Sequence, residues 1–553
     1  MKPIRIYLLL LMYNSAFCQW SSSSSINTPV AVVSKSQGNA HTVTDTKNGA
    51  IIAWDDNRNS ASNSTDIYAQ RIKSNGYEKW NTNGIAVCSN NFTQKSVSII
   101  DAGAGSAIIT WEDNRAGNYD IYAQKIDSSG NILWAIDGVG ICTKSTNQKN
   151  PKIISDNAGG GIIVWEDSVN FYWDVYAQRI SSSGITIWTT GGVGICTAPN
   201  AQINPKIDID GLGGAIITWQ DKRNNVDYDV YTQRINSTGA VLWNTNGLLV
   251  CNSMNSQTNA RIEPDGSNGA LIGWVDKRNG TDYDIYAQHI NSTGSVQWAT
   301  NGVAVCTAVG NQSAFDMKYL GSTGVLLAWK DGRTNTNSIY SQLVSLTGII
   351  QLPTDGILIS NSIKAINPNV VSDGTGGAII AWQDSTGISW NIKSQKINSA
   401  GTLQWPSGGV YVSNATDDQV NVSQVTDGNG GAIFVWEDYR SGSDYDLYAH
   451  HLYFDGMSAV GINELSKSNE LQSLCYPNPI TTNSRIKLAN NLSNKDWEVN
   501  IYDAYGHLVQ FQKFKNNDVC SLNKDDYPVG IYFYFINLGG ESGSSKGTFI
   551  SVK

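Results

Sequence analysis

An aspartate that follows a tryptophan by two positions recurs eight times in this chain of 553 residues. The tryptophans are Trp54, Trp111, Trp165, Trp219, Trp274, Trp329, Trp382 and Trp436, and the aspartates are Asp56, Asp113, Asp167, Asp221, Asp276, Asp331, Asp384 and Asp438. In six copies an arginine comes two residues later, namely Arg58, Arg115, Arg223, Arg278, Arg333 and Arg440. Residues at i and i+2 share a strand face, so the carboxylate can pair with the guanidinium there. A catalytic site is needed once, so eightfold repetition predicts a structural role for this aspartate.

The loop after this motif is rich in Asp, Asn and Gly and carries an aromatic residue at one slot in six copies. That slot holds Tyr119, Trp173, Tyr228, Tyr283, Trp390 and Tyr445, and Phe171 and Tyr172 precede Trp173. Aromatic rings beside Asp and Asn can stack on sugars and bond their hydroxyl groups, so these eight residues are predicted to bind a ligand. The alternative is that each ring packs against a neighbouring repeat.

The same Asp- and Asn-rich loops are also the candidate place for a bound metal ion. Calcium could bind their oxygen atoms, but the spacing matches no EF-hand loop or nonapeptide calcium repeat. Asx turns explain the composition equally well, so no cofactor and no metal site are predicted.

Other chemical signals are weak. The histidines, His41, His289, His450, His451 and His507, stand in no Ser or Cys motif, and neither an H-E-x-x-H zinc motif nor a phosphate-binding loop occurs. A carboxylate pair for glycoside hydrolysis stays open, because acidic residues are plentiful. The net charge is −9 without a basic patch, which argues against a nucleic-acid partner. No catalytic residue is predicted.

The motif tryptophans are spaced by 57, 54, 54, 55, 55, 53 and 54 residues. In the fourth unit the strand-like runs are "PKIDID", "GAIITWQD", "DVYTQRI" and "AVLWNTNGLLVC", and "NSTG" forms a tight turn with Gly239 at positive φ. The second run is continuously apolar, which indicates burial on both faces. Eight such four-stranded units predict the blades of an eight-bladed β-propeller.

A second tryptophan series indicates how the ring closes. It comprises Trp80, Trp134, Trp188, Trp243, Trp298 and Trp405, with Gln351 in the sixth slot. Trp20 lies in the same pattern ahead of the first unit, whereas the last unit lacks this strand. Residues 20–34 are therefore predicted to complete the eighth blade.

The first 18 residues have the features of a signal peptide. Lys2 and Arg5 precede a short apolar run, and Ala16 and Cys18 fit the small positions before cleavage at Gln19. Acylation of Cys18 is the alternative, disfavoured by the bulky Phe17. No later segment is apolar enough to span a membrane, so no anchor is predicted in the mature protein.

Cysteine recurs at one slot of five consecutive units, as Cys88, Cys142, Cys196, Cys251 and Cys306. Val412 and Ser360 occupy that slot in two other units, so a small buried residue is predicted and not a disulfide partner. Cys475 and Cys520 could pair within the C-terminal region.

The C-terminal region departs from the repeat and carries short alternating strands typical of a small sandwich. Its ordered motifs are Pro477, Asn478 and Pro479, then Asp503 and Gly506, then Gly530 and Tyr532, and finally Lys553. Over about residues 470–553 this resembles the type A C-terminal sorting domain of the type IX (Por) secretion system. The resemblance implies export across an outer membrane, recognition by the secretion machinery and its sortase, and removal of the tail. A carbohydrate-binding sandwich is the alternative.

The order of residues in "IYAQKIDSSGNILW" resembles the blade hairpins of quinoprotein-type eight-bladed propellers, although the hairpin is two residues longer. This resemblance implies the fold and no quinone cofactor.

The predicted organisation is a signal peptide (1–18), an eight-bladed all-β propeller (19–460), a linker (461–474) and a sorting domain of Ig-like sandwich type (475–553). The predicted function is non-enzymatic recognition or adhesion at the extracellular face of the outer membrane or in the medium, with a glycan or protein ligand. The alternative is a secreted polysaccharide hydrolase or lyase with its site on the irregular blades three, six or seven.

Overall fold

The computed structural model describes residues 20–553 except 60–63, 335, 361, 363, 386, 459–472, 477–478, 483, 489–495, 504–506, 515–518, 539–543 and 552–553. The chain divides into two compact units, Met1–Gly461 and Ile462–Lys553. The predicted signal peptide and most of the predicted linker lie outside the described residues. Among the described residues, no helix is long and apolar enough to cross a membrane.

The first unit consists of eight four-stranded antiparallel sheets, called blades one to eight. Its strands are β1 (Thr28–Ala31), β2 (Gln37–Thr44), β3 (Ala50–Asp56), β4 (Asp66–Ile72), β5 (Ile85–Cys88), β6 (Gln94–Asp101), β7 (Ala107–Asp113), β8 (Asp120–Ile126), β9 (Val139–Cys142), β10 (Gln148–Ser155), β11 (Gly161–Asp167), β12 (Asp174–Ile180), β13 (Val193–Cys196), β14 (Gln202–Ile209), β15 (Ala215–Asp221), β16 (Asp229–Ile235), β17 (Leu248–Cys251), β18 (Gln257–Pro264), β19 (Ala270–Asp276), β20 (Asp284–Ile290), β21 (Val303–Cys306), β22 (Gln312–Tyr319), β23 (Val325–Asp331), β24 (Ser338–Val344), β25 (Ile357–Leu358), β26 (Lys364–Ser372), β27 (Ala378–Ser385), β28 (Asn391–Ile397), β29 (Val410–Ser413), β30 (Gln419–Thr426), β31 (Ala432–Asp438) and β32 (Asp446–Leu452). Blades one to seven take four consecutive strands each from β2 to β29, and blade eight is β30, β31, β32 and β1. Two short 3-10 helices, Val169–Phe171 and Gly321–Thr323, lie in blades three and six.

The second strand of each blade is the hydrophobic centre of the propeller. In β15 all seven residues are buried, as expected for a strand covered on both faces. The motif tryptophans at this position are all fully buried. The predicted burial of this continuous apolar run is confirmed.

The innermost strands, such as β2 and β6, each contain one residue in the left-handed conformation, where a bulge shifts the register. These residues are Asn39, Ser96, Asn150, Asn204, Asn259, Ala314, Asn367 and Asn421, with φ between 46° and 60°. Asparagine tolerates this conformation better than most residues, which explains its use in six of the eight blades. Each innermost strand lies against that of the next blade, and β30 lies against β2.

The fourth strand is shorter than the sequence pattern predicts. In blade four the hairpin forms only a single bridge between Ile235 and Val241, and strand pairing resumes at Leu248. A turn with Asn246 and Gly247 at positive φ separates the two segments, so "AVLWNTNGLLVC" is not one strand. Gly239 does have the predicted positive φ, at 89°.

The N-terminal strand closes the ring as predicted. β1 pairs antiparallel with β32, placing Thr28 opposite Ala449. Trp20 is buried and its Nε1 donates to the Ser74 carbonyl of blade one at 2.8 Å. Trp80 makes the equivalent bond to Ser128 at 3.3 Å, so Trp20 serves as the outer tryptophan of blade eight.

In blade six the outer tryptophan slot belongs to Leu352 and not to Gln351. The Leu352 N–H donates to Gln342 Oε1 at 3.0 Å, as the Trp298 N–H does to Gln288 at the same distance. The predicted assignment of Gln351 is therefore wrong by one residue, because spacing alone does not reveal a shift in loop length.

The second unit is a β-sandwich of seven strands among the residues described. Its strands are β33 (Ser473–Tyr476), β34 (Ser484–Leu488), β35 (Trp497–Tyr502), β36 (Leu508–Phe514), β37 (Val519–Leu522), β38 (Gly530–Leu538) and β39 (Ser544–Ser551), with a 3-10 helix at Lys524–Asp526. The sheets have the orders β33-β34-β37 and β36-β35-β38-β39. The predicted linker overlaps this unit at Ser473 and Leu474, which begin β33. The predicted all-β class is confirmed in both units.

Candidate functional site in the central channel

The Trp-Asp-Arg motif forms a closed network at the end of the second strand. In blade four, Trp219 Nε1 donates to Asp221 Oδ2 at 2.8 Å, and the Arg223 N–H donates to Oδ1 at 2.9 Å. The Arg223 guanidinium donates to both carboxylate oxygens and lies over the ring of Tyr231, 3.7 Å from its centroid. Asp221 is fully buried, and a buried carboxylate requires such partners. The structural role predicted for this aspartate is confirmed.

Blades three and seven lack this arginine, and a lysine replaces it. Lys144 donates to Asp167 at 3.0 Å, and Lys393 Nζ lies 3.4 Å from Asp384. Lys144 follows the last strand of blade two and Lys393 lies on β28 of blade seven, so the sequence motif appears broken while the buried charge is still paired. The irregularity of these two blades at this slot therefore has a structural explanation.

The eight predicted ligand-binding aromatics lie in the loops between second and third strands, at one end of the ring. In five cases a lysine ammonium lies over the ring, between 3.8 and 5.7 Å from the ring centroid. The pairs are Lys95–Tyr119, Lys149–Trp173, Lys222–Tyr228, Lys277–Tyr283 and Lys364–Trp390. The sixth ring, Tyr445, contacts Tyr439 with centroids 5.0 Å apart. These six rings are half-buried, whereas Phe171 and Tyr172 are exposed. A cation over the ring occupies a face that a sugar would use. The structure spreads these residues over six blades, and their binding role stays a prediction.

The Asp- and Asn-rich loops use their oxygen atoms internally. In blade four Asn224 Oδ1 accepts from the Val226 N–H at 2.8 Å, and its Nδ2 donates to Asp227 at 2.6 Å and Asp229 at 3.1 Å. The described part of the chain contains no group of three or more His, Cys, Asp or Glu that could hold a metal. Asx turns therefore account for the composition of this loop.

The repeated cysteines are buried free thiols, as predicted. Cys196 lies beside the motif, 3.6 Å from Asp221 Oδ2 and 3.2 Å from Arg223 Nη2, and burial raises its pKa to about 12. In the second unit, Cys475 and Cys520 pair with opposite sides of Ile486 on β34. Two strand spacings, about 10 Å, separate them, and a disulfide spans less than about 7 Å. The predicted pairing of these two cysteines is wrong.

A channel runs through the centre of the propeller, lined by the residue two positions after each left-handed residue. These lining residues are His41, Ser98, Lys152, Lys206, Arg261, Asp316, Asn369 and Ser423, one from each blade. The blades are most alike at the motif and least alike here. Eight different blades thus bring residues far apart in sequence to one place.

One side of the channel is a cationic cavity of about 250 Å³. Lys152, Lys206 and Arg261, at the same slot of three consecutive blades, all line it. Within the described residues, none of these three side chains has an ion-pair or hydrogen-bond partner. Each is half-buried, surrounded by the channel wall but reached by water along the channel. Unpaired charges in such a place favour binding of an anion.

The protonation of this cluster reflects its crowding. Burial, then Arg261, then Lys152, lower the pKa of Lys206 to about 7. Burial and Arg261 also lower the pKa of Lys152. Burial and the two lysines lower the pKa of His41, across the channel, to about 3. The channel therefore holds a histidine that is neutral at pH 7 and a lysine near its midpoint.

Carboxyl groups line the same cavity further along the inner strands. Glu263 accepts from Lys318 Nζ at 3.0 Å and from the Tyr319 N–H at 3.1 Å. Burial raises the pKa of Glu263 against the opposing effect of Lys318, and burial likewise raises the pKa of Asp208. Asp316 accepts from the Val370 N–H at 2.9 Å. Carboxyl groups with raised pKa next to cations are the kind of environment found in acid–base sites.

The other side of the channel is a larger, amide-lined cavity of about 610 Å³. Asn367, Asn369, Gln383 and Asn421 line it, and Arg261 borders both cavities. Amide groups both donate and accept hydrogen bonds, which suits the hydroxyl groups of sugars. Its volume lies within the range of about 300–1,000 Å³ that is usual for ligand sites.

One feature of the sequence marks this site, although it matches no known motif. "PKIIS", "PKIDI" and "ARIEP" begin the corresponding part of three consecutive units, each with a cation at the same slot. The remaining units have His, Ser, Asp, Asn and Ser there. A slot that varies in an otherwise regular repeat marks the position where one-off chemistry can lie.

Four residues of the predicted sorting motif are described. Tyr532 is buried, stacks on Phe549 with centroids 5.2 Å apart, and its hydroxyl donates to the Pro528 carbonyl at 2.8 Å. Asp503 accepts from the His507 N–H at 2.9 Å, which closes the turn of the central hairpin. Gly530 begins β38, and Pro479 lies exposed between β33 and β34. Pro477, Asn478, Gly506 and Lys553 lie outside the described residues.

Comparison with known families identifies the C-terminal unit. The family model described as a secretion system C-terminal sorting domain matches residues 474–550. This segment is a type IX sorting domain. The protein is thus secreted to the cell surface or beyond it, and the secretion machinery recognises its C-terminal domain. The sortase and the removal of the tail stay predictions.

Comparison with solved structures concerns the fold of the propeller. An endo-arabinase from Bacteroides thetaiotaomicron VPI-5482 shares 15% identity over 48% of this chain and 97% of that chain, with a TM-score of 0.27. An alpha-L-arabinofuranosidase from Fusarium graminearum shares 9% over 55% and 92%, with a TM-score of 0.31. An alpha-L-arabinanase from Penicillium chrysogenum shares 10% over 55% and 92%, with a TM-score of 0.29. No curated protein matches the chain.

These comparisons correct one expectation from the sequence. The three solved structures named above are of enzymes, so the prediction that the chain is not an enzyme does not stand. That prediction depended on the absence of familiar motifs, and a site built from eight distant segments leaves no such motif. The likeness at these identities concerns the fold and assigns no substrate to this chain.

Proposed function

We propose that this protein is a secreted polysaccharide-active enzyme that acts on an anionic glycan bound in the central channel. The observation that carries this proposal is the set of cations without partners, Lys152, Lys206 and Arg261, in a cavity that also holds carboxyl groups. An anionic group of the substrate would supply the missing partner. The type IX sorting domain places the protein outside the cell, where such polymers are found.

The two cavities divide the binding task between them. Arg261 borders both, so a sugar seated there can present its anionic group to the cations and its hydroxyl groups to Asn367 and Asn369. Arginine is suited to this position, because its planar fork bonds a carboxylate through two parallel N–H groups. A neutral glycan would leave the cations unpaired, so we expect a strong preference for charged polymers.

The test is cleavage of a panel of polysaccharides by the full-length exported protein. Polygalacturonate, alginate and chondroitin sulfate represent anionic chains, and arabinan and dextran represent neutral ones. We expect new reducing ends from at least one anionic polymer and none from neutral polymers. Cleavage confined to neutral polymers, or no cleavage of any anionic polymer, would contradict the proposal.

The matched variants are Arg261→Gln and Lys47→Gln. Both remove one positive charge, but Lys47 is exposed in a turn of blade one, away from the channel. Loss of one bidentate charged contact should lower kcat/KM at least about tenfold, since hydrogen bonds to charged groups contribute about 1.5–3 kcal/mol. Lys47→Gln should leave kcat/KM unchanged.

A further inference from the structure

Lys206 has surroundings that suit a base. Arg261, Lys152, Glu166 and Asp316 are the charged groups that face it, and His41 faces it from across the channel. Its pKa of about 7 means that a large share of the amine is neutral at neutral pH. A lysine with a pKa lowered to about 7–8 by burial and neighbouring charge can act as a general base.

Arg261 and Lys152 flank Lys206 at the same slot of the adjacent blades. A carboxylate held by these two cations would place its sugar ring against the amine between them. Charge that develops on the carboxylate when the adjacent carbon loses its proton would be stabilised by the same two cations. The arrangement thus combines a neutral base with a clamp for negative charge.

We propose that the channel cleaves a uronic acid polysaccharide by β-elimination, with Lys206 as the base and Arg261 and Lys152 as the carboxylate clamp. This inference rests on the proposed function. The Lys206 amine takes the proton from the carbon next to the carboxylate, and the electron pair forms a double bond to the next carbon. The bond from that carbon to the glycosidic oxygen breaks, and the Lys206 ammonium returns its proton to this oxygen. No water, oxidant or metal is consumed, and one product ends in an unsaturated sugar.

The experiment follows two products from polygalacturonate and alginate with the full-length protein. Reducing ends report any cleavage, and the ultraviolet absorbance of the conjugated double bond reports elimination. We expect both signals to rise in equal amounts. Reducing ends without the double bond would overturn elimination and leave the proposed function standing, whereas no reducing ends from these two polymers or from chondroitin sulfate would overturn both.

Variants of the base separate its role from a structural one. Lys206→Met should lower kcat by at least about a hundredfold, the usual contribution of a general base. Activity of the unaltered protein should fall as the pH drops through about 7, because Lys206 becomes protonated and can no longer accept a proton. An acid limb unchanged in Lys206→Met, or a kcat within threefold of the parent, would overturn the assignment.

A second measurement does not depend on activity or on the folding of the variant. Brief acylation of the parent protein at pH 7, followed by mass spectrometry, should modify Lys206 far ahead of exposed Lys47, because only a neutral amine reacts. A soluble uronate oligomer should slow that modification at Lys206 and not at Lys47. Equal modification of both lysines would contradict the proposed state of Lys206.

Discussion

At the scale of single residues, His450 differs from the side chains that occupy its slot in the other blades. The third strand carries glutamine there, as Gln70, Gln124, Gln178, Gln233, Gln288, Gln342 and Gln395. In blade seven Gln395 Oε1 accepts from the Lys396 N–H at 2.9 Å and its Nε2 donates to the Pro406 carbonyl at 2.9 Å. His450 instead contacts Ser458 Oγ at 2.8 Å, and it is fully buried. Burial, reinforced by the neighbouring His451, lowers its pKa from 6.5 to about 4.

The buried histidine should make stability depend on pH. Between pH 6.5 and about 4 the unfolded chain takes a proton at His450 and the folded chain does not. The contribution of His450 to the free energy of unfolding therefore falls as the pH falls through this window, by roughly 3 kcal/mol at most. His450→Gln should flatten that decline in denaturant titrations at pH 7, 5.5 and 4.5.

The matched control for this effect is His507→Gln, which removes an exposed histidine. It should leave the pH dependence of the propeller transition as in the parent. If His450→Gln shows the parent's full decline between pH 7 and 4.5, His450 is not its source.

Residue roles were predictable where repetition exposed them and not elsewhere. Asp221 and its equivalents were assigned correctly, because eight copies excluded a single catalytic function. Lys206 lies in a strand segment that matches no known motif. Its candidate role depends on Lys152 and Arg261, each about one blade away in sequence. Only the closed ring brings those three side chains to one cavity.

At the scale of elements, the residue after the motif tryptophan joins one blade to the next in five of the eight blades, through Asp55, Glu112, Glu166, Gln383 and Glu437. Glu437 Oε1 accepts from the Asn39 N–H of blade one at 2.7 Å, and Oε2 accepts from Asn421 Nδ2 within blade eight at 3.0 Å. Glu166 makes the equivalent bond to the Asn204 N–H at 2.9 Å. The left-handed asparagine thus has two roles. Its backbone N–H donates to the carboxylate of the preceding blade, and its side chain donates to the carboxylate of its own blade.

Glu437→Ala should therefore destabilise the propeller more than the same change at a position without the bond. Gln220 occupies this slot in blade four, and its buried Nε2 has no partner among the described residues. We expect Glu437→Ala to lower the free energy of unfolding by about 1–3 kcal/mol, because it leaves a buried N–H unpaired. Gln220→Ala should be close to neutral. Equal losses for the two variants in urea titrations would argue against the inter-blade bond as a source of stability.

Element boundaries followed the sequence best in the second strand and least in the fourth. A continuous apolar run has no other stable place than between two covering layers, so β15 and its equivalents were predictable. The fourth strand is interrupted after Trp243 by a turn at Asn246 and Gly247, and an outer strand has little apolar patterning to mark the break. The innermost strands are polar for a similar reason, because their alternate residues face water inside the ring. Apolar patterning therefore does not reveal which of their residues line the channel.

At the scale of the whole molecule, closure of the ring determines whether the channel exists. The contacts that join the ends of the propeller include β1 with β32, Trp20 with Ser74, and Glu437 with Asn39. The sequence predicted the first of these from an unpaired strand at one end and a missing strand at the other. It could not predict the chemistry inside, because which residues face the channel depends on the bulge in each inner strand.

Trp20 and Trp405 make the same packing contact at different places in the ring, one across the closure and one within continuous chain. Each is buried, and each lies against the hairpin turn of the next blade, with Trp405 Nε1 donating to the Phe454 carbonyl at 3.2 Å. Replacing either by alanine should cost about 3–5 kcal/mol, the usual range for a buried tryptophan.

Trp20→Ala should in addition release β1, because no covalent connection holds that strand on blade eight. We therefore expect limited proteolysis to remove the N-terminal segment from Trp20→Ala and not from Trp405→Ala, as read by intact mass. Equal resistance of both variants would mean that strand pairing alone holds the closure.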